Sequence, residues 1–235
     1  MSNSLINPAK GKKDLQINKP VVFLTNPWMV KYALKCFNLK PLQEPNFHFN
    51  SLYLVNERFY FVSYAIGAPW AALVLEKLVV CGAKEIIVTG SCGSISERVK
   101  IGDLFLADKG FIEEGTSKAY GVKDKISYSD AALTEKIYDF INEKDFIKEG
   151  IWTTDAPYNE TLEKVRIFQK LGAFAVDMET SALYSVAELR KAAVSSLLVV
   201  SDELFRNNWV SGFGTQAFIK GVEKLFIKLK NFFVA

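Results

Sequence analysis

The sequence predicts an α/β fold in which a central mixed, largely parallel sheet carries helices on both faces. Three observations lead there. Short apolar, β-rich runs alternate with stretches of helical periodicity along the chain. Two of the runs, Glu85-Ile86-Ile87-Val88-Thr89 and Ser196-Leu197-Leu198-Val199-Val200, lack the polar alternation of a half-exposed strand, as central strands covered on both faces do. No Pro/Gly/Ser linker and no internal repeat divides the 235 residues, a length that buries a sizeable core as one domain.

Taken in order, residues 1–18 are polar and lysine-bearing and read as a flexible arm, with one domain over 19–235. Val21-Val22-Phe23-Leu24 is a buried strand. Leu52–Val55 and Phe59–Val62 form a hairpin across Asn56-Glu57-Arg58. Tyr64-Ala65-Ile66-Gly67-Ala68-Pro69 closes that strand and opens a helix over 69–82, where Pro69 loses nothing by lacking an N–H in the first turn. The strand ending at Thr89 runs into a glycine turn, Gly90-Ser91-Cys92-Gly93-Ser94. Helices follow at 130–142, with Asp130 as N-cap, and at 160–171 and 179–191. The last helix, 215–231, spaces apolar residues among lysines and docks on the core, since it lacks the dense positive face of a membrane-surface helix.

Composition excludes several function classes. The net charge of +3 is too small for a nucleic-acid or acidic-membrane partner. Three cysteines without metal spacing read as reduced thiols, and the polar N-terminus lacks an apolar signal region, so a cytoplasmic protein is expected. No apolar run approaches the roughly 20 residues of a membrane helix. His48 is the only histidine, which excludes a multi-histidine metal centre; neither a metal nor an organic cofactor is expected.

The acids Glu179 and Asp202 stand where apolar strands end, in Val176-Asp177-Met178-Glu179 and Val199-Val200-Ser201-Asp202. Ligands of open α/β folds collect outside the carboxyl ends of strands, and a mid-strand acid would be costly to bury. In isolation Glu179 also fits a helix N-terminal acid favoured by the dipole, and Asp202 a loop or cap residue. The glycine turn lets backbone N–H groups approach an anion or a base edge, with Ser91 adding a hydroxyl, although such turns are commonly just turns. It is neither a Walker loop nor a dinucleotide fingerprint.

These pieces in this order resemble the nucleoside phosphorylase superfamily, which holds purine nucleoside, uridine and methylthioadenosine phosphorylases and related nucleosidases. The matching blocks are Ile66-Gly67-Ala68-Pro69 with its helix to Leu78, Gly90-Ser91-Cys92-Gly93, Ile101-Gly102-Asp103, Thr154-Asp155-Ala156-Pro157-Tyr158, Val176–Glu179 and Val199–Asp202, spanning about residues 20 to 231. The resemblance implies one three-layer α/β domain around a partial barrel, in a homo-oligomer (dimer, trimer or hexamer) with sites near subunit contacts. It implies that Glu179 binds the ribose hydroxyls, that Met178 packs beneath the sugar, and that Asp202 protonates or hydrogen-bonds a purine nitrogen. Ser91 would contact phosphate, while Cys92, Gly93 and Val176 border the base, with Asp177 and Ser201 beside them. Ile66 falls where some members pack a methionine on the sugar. The residue types suit the chemistry. N-glycosidic cleavage makes an oxocarbenium-like sugar that a carboxylate assists, and an acid improves the leaving base.

The chain also departs from the family. Two phosphate-binding arginines are replaced, at Met29 and Val88, and none stands at the third position near Pro45 to His48. Met and Val cannot replace a bidentate guanidinium. Thr25 and Ser91 are left as candidate phosphate contacts. The water-activating glutamate of the nucleosidases is missing as well, because the loop after the first strand reads Thr25-Asn26. Pro157 occupies a base-stacking aromatic position, for which Tyr158 or Trp70 would compensate. Trp209 and Phe213 would cover the pocket or pack on the last helix. Three readings stand. One is a phosphorylase for a purine-type nucleoside with a remodelled phosphate site and phosphate as co-substrate. The others are a phosphate-independent nucleosidase and an inactive nucleoside-binding protein.

Overall fold

Strand β1 (Val21–Leu24) shows how the layers form. Val21 and Phe23 point into one apolar cluster while Val22 and Leu24 point into another, because alternate residues of a strand face opposite sides of its sheet. In the computed structural model, which describes residues 4–39, 51–141, 146–206 and 208–234, both faces are covered by helices. On one face lie α2 (Ala68–Val80) and α6 (Thr180–Arg190); on the other lie α1 (Val30–Phe37), α4 (Ala131–Ile141) and α7 (Gln216–Phe232).

The hairpin of β2 (Leu52–Val55) and β3 (Phe59–Val62) forms in the expected register, with Asn56 and Glu57 at positive φ as a tight primed turn requires. It pairs through β3 with β1, which runs parallel to β4 (Glu85–Ser94). Beyond β4 the sheet closes on itself. β4 pairs with both β9 (Ala193–Glu203) and β8 (Ala173–Asp177); β8 pairs with β7 (Ile147–Thr153), β7 with β5 (Leu104–Ile112), and β5 returns to β9. These five strands are the partial barrel. The short β6 (Ile126–Tyr128) and β10 (Val210–Ser211) edge β5 and β9.

Caps fall where side-chain chemistry puts them. Asp130 Oδ1 accepts the Leu133 N–H at 2.8 Å ahead of α4, and Thr161 and Thr215 cap α5 (Leu162–Leu171) and α7. A single turn, α3 (Thr116–Ala119), lies on the Glu114 carboxylate.

Two expectations change. The glycine segment 90–94 is not a turn, because β4 continues through it to Ser94 with a bulge between Cys92 and Gly93. The glycines serve close approach instead. A Cβ on Gly90 would stand 2.2 Å from Thr25 Oγ1, and one on Gly93 2.7 Å from Leu204. Within the expected N-terminal arm, Ile17 is buried and donates its N–H to the Cys81 carbonyl, and Asp14 pairs with Lys77 of α2. Burial of one isoleucine and one ion pair ties the inner part of that segment to the domain. Among the described residues, no helix is long and apolar enough to cross a membrane.

Candidate active site

Gly93 lies where three strand ends meet. It pairs with Val176 of β8 on one side and with Asp202 of β9 on the other. A Cβ there would come within 3.1 Å of Asp202 Oδ2 and 3.2 Å of Val176 Cγ1. Only glycine lets the acid of one strand and the valine of another close over the same point.

The two acids of the Val176–Glu179 block divide their work. Asp177 accepts the Thr153 hydroxyl at 2.7 Å and the Thr180 N–H at 2.9 Å, so it caps α6. Burial raises its proton affinity and those hydrogen bonds oppose the rise. Glu179 sits at the N-cap position without capping, and its Oε1 accepts the Gly67 N–H at 2.6 Å. This bond reaches across to the turn before α2, where Gly67 takes φ 83° at the helix start. Burial, then the neighbouring Asp177 charge, pushes the Glu179 carboxyl well above the usual carboxylate range. Met178 is half-buried beside it.

Asp202 has a partner on each oxygen. Oδ1 lies 2.6 Å from the Ser201 hydroxyl and Oδ2 accepts the Trp209 indole N–H at 2.9 Å. Ser201 also faces the Cys92 carbonyl at 3.2 Å. A hydroxyl has one proton and two lone pairs. With Asp202 ionised, Ser201 donates to Oδ1; with a proton on Oδ1, Ser201 can turn its own to Cys92 and accept, and with a proton on Oδ2, Ser201 still donates to Oδ1 while the Trp209 N–H must leave Oδ2. The site therefore accommodates both protonation states of Asp202. Burial raises the Asp202 carboxyl, and the Ser201 and Trp209 hydrogen bonds hold the rise back.

The loop after β1 reaches the same end of the sheet. Asn26 Oδ1 accepts the Trp28 N–H at 2.8 Å, which fixes its amide so that Nδ2 donates to Ser91 Oγ at 2.6 Å. Ser91 keeps its own proton for a ligand. Thr25 is buried, with its hydroxyl turned to the Thr89 carbonyl at 3.4 Å, so Asn26 rather than Thr25 stands with Ser91. Met29 and Val88 are buried in the two apolar clusters. The third arginine position, at residues 45–48, and His48 with it, lie outside the described residues.

A carboxyl that the sequence did not single out belongs here. Glu160 follows the short turn Pro157–Asn159. Burial first, then the charges of Asp202, Glu113 and Asp177, push it up to about 8. Among the described residues its carboxyl accepts no hydrogen bond and joins no ion pair. In sequence it is an ordinary acid at a helix start. Only the fold brings it near Asp202.

A sequence profile of the phosphorylase superfamily matches residues 22–229. The chain belongs to this superfamily. Among its relatives is a purine nucleoside phosphorylase of the DeoD type from Alkaliphilus metalliredigens, 28% identical over 168 residues that cover 70% of this chain and 72% of the relative. Another is a guanosine phosphorylase from Halorubrum lacusprofundi, 30% identical over 62% of this chain and 61% of its own. A uridine phosphorylase from Vibrio fischeri superposes with a TM-score of 0.80, at 25% identity and 93% coverage of both chains. A futalosine hydrolase from Helicobacter pylori shares the fold, with a TM-score of 0.71, 16% identity and 92% and 95% coverage. The same fold is thus found in a uridine phosphorylase and in a futalosine hydrolase.

Set against that scaffold, Ser91, Cys92, Gly93, Val176, Asp177, Glu179, Ser201 and Asp202 gather at one end of β4, β8 and β9. Ile66 flanks the Gly67 contact and is 45% exposed. Tyr158 is fully exposed and contributes no contact to this cluster, because the turn at Pro157 carries it outward. Trp70 meets Tyr64 edge-on. Trp209 and Phe213 part company: Phe213 packs on Phe218 of α7, and Trp209 bonds the acid.

Proposed function

We propose that the protein cleaves the N-glycosidic bond of a purine-type nucleoside by phosphorolysis. The observation that supports this best is the pairing, around Gly93, of a buried carboxyl held by Gly67 with a second carboxyl built to exist in both protonation states. In this reading Glu179, its Oε1 anchored, offers Oε2 to the ribose hydroxyls and steadies the electron-poor sugar of the transition state. Asp202 gives a proton to the purine and makes it a better leaving group. Glu160, unpartnered beside Asp202, suits a base that offers N–H donors. Phosphate enters beside Ser91 and the amide of Asn26.

Hydrolysis is the second reading, and one observation favours it. The two arginine positions at Met29 and Val88 are buried core residues, so neither supplies a cation for an anion to bind. Phosphorus NMR of the products from inosine separates the two. Sugar 1-phosphate is expected; free ribose formed in phosphate-free buffer would assign hydrolysis. The proposal includes a homo-oligomer, since Trp28, Leu73 and Tyr158 stand exposed, and light scattering in solution tests it.

A further inference from the structure

The grip on Asp202 is uneven. Ser201 is 2% exposed and anchored on the Cys92 carbonyl, whereas Trp209 is 63% exposed and, among the described residues, tied to the site by one N–H on Oδ2. Trp209 is carried at the start of β10, whose Ser211 and Val210 pair with Asp202 and Glu203. The indole is therefore delivered by the strand that lies directly against the acid. An indole N–H is a donor only, so it favours the carboxylate and opposes a proton on the oxygen it holds. Yet a proton on Asp202 is what a leaving purine needs.

Among the described residues, the other charges around Asp202 do not stabilise its ionised form. Asp177 and Glu160 are acids, the Cys92 thiol is pushed well up by burial, and Arg206 is paired with Glu203 at 2.9 Å. Beside Ser201, the Trp209 N–H is the group that favours the charge. With Oδ1 committed to the buried Ser201, Oδ2 is the oxygen a base can reach, and the indole stands on it.

We propose that Trp209 is a positioning residue for the acid: its N–H holds the Asp202 carboxylate in the free enzyme, and the nucleobase takes its place on Oδ2 when the nucleoside binds. This rests on the reading of Asp202 as the proton donor. The bound base exchanges one hydrogen-bond partner of Asp202 for another, which tunes the acid differently in the free enzyme and in the complex.

Trp209→Phe tests this, because it keeps a ring and removes only the N–H at an exposed position. The pH profile of kcat/KM reports the free enzyme and that of kcat the complex. In the variant the basic limb of kcat/KM moves to higher pH, and kcat/KM above the parent limb rises about tenfold, the worth of one charge-assisted hydrogen bond. The limb of kcat stays in place. Emission that the parent shows and Trp209→Phe lacks also changes on saturation with 9-deazainosine, a carbon-linked analogue that can bind without cleavage. Both limbs shifting together, neither shifting, or an unchanged Trp209 emission overturns the proposal. Asp202→Asn separates the two levels of argument. Parent-like activity in that variant is failure of the acid assignment itself, whereas an inactive Asp202→Asn with unshifted Trp209→Phe profiles is failure of the Trp209 inference alone.

Discussion

In the proposed reading Asp202→Asn removes the proton donor, and it leaves the surrounding structure satisfied. The carboxylate receives Ser201 on Oδ1 and Trp209 on Oδ2. An asparagine can present its carbonyl to the Trp209 N–H and its NH₂ to Ser201. Ser201 then accepts and turns its own proton to the Cys92 carbonyl 3.2 Å away. No donor faces a donor, so folding stability should change by no more than about 1 kcal/mol, the worth of one ordinary hydrogen bond. Catalysis loses the general acid, a factor of about 10² to 10⁴, or about 3–5 kcal/mol of barrier. Purine release followed by absorbance, with thermal unfolding measured in parallel, gives both quantities. An Asp202→Asn protein that is folded and releases base within a few-fold of the parent rate would refute the reasoning.

Three further outcomes follow from the same geometry. Glu160→Gln should stabilise the protein at pH 8 to 9 and leave it unchanged near pH 4. A carboxyl raised to about 8 by folding binds its proton more tightly in the native state, so stability falls as pH rises from the ordinary carboxylate range through about 8. Discounted for its partial exposure, the gain is about 1 kcal/mol, or roughly 2–4 °C in Tm, and equal Tm differences at both pH values would contradict it. Gly93→Ala forces a Cβ to within 2.7 Å of Leu204 and 3.1 Å of Asp202 Oδ2, so it should lose about 1–3 kcal/mol of stability together with activity, read by calorimetry and rate. Met29→Arg, which restores a family arginine, should unfold the protein rather than improve its use of phosphate. Met29 is fully buried, and an uncompensated charge there costs about 3–5 kcal/mol; a stable variant with a lower KM for phosphate would overturn that placement.

What the sequence disclosed depended on whether local chemistry settled the matter. The helices over 130–142, 160–171, 179–191 and 215–231 form within two residues of expectation, because apolar spacing and the caps at Asp130, Thr161 and Thr215 act locally. β5 and β7 escaped notice. Asp108, Lys109 and Gly110 cut β5 short after Leu104-Phe105-Leu106-Ala107, and Lys148, Glu149 and Gly150 interrupt β7, so neither reads as a full-length strand, and both complete the closed barrel. The segment 90–94 looked like a turn because glycine usually marks one. Its reason lies in Thr25, Leu204 and Asp202, which are distant in sequence. Glu179 and Asp202 are legible as strand-end acids, and Ser201 and Trp209 as neighbours of the site, but the bond from Gly67 to Glu179 is not, since a hydrogen bond spanning 112 residues leaves no local signature. Glu160 needs the fold for the same reason, and the turn at Pro157 sets the outward direction of Tyr158.

The most direct test of the central claim is base release from inosine, adenosine, methylthioadenosine and uridine by the parent protein in phosphate buffer, measured side by side with Asp202→Asn. The account predicts release from at least one of the purine nucleosides, little from uridine, and a loss of about 10² to 10⁴ in the variant. Preferred release from uridine, or purine release that survives Asp202→Asn, would contradict it.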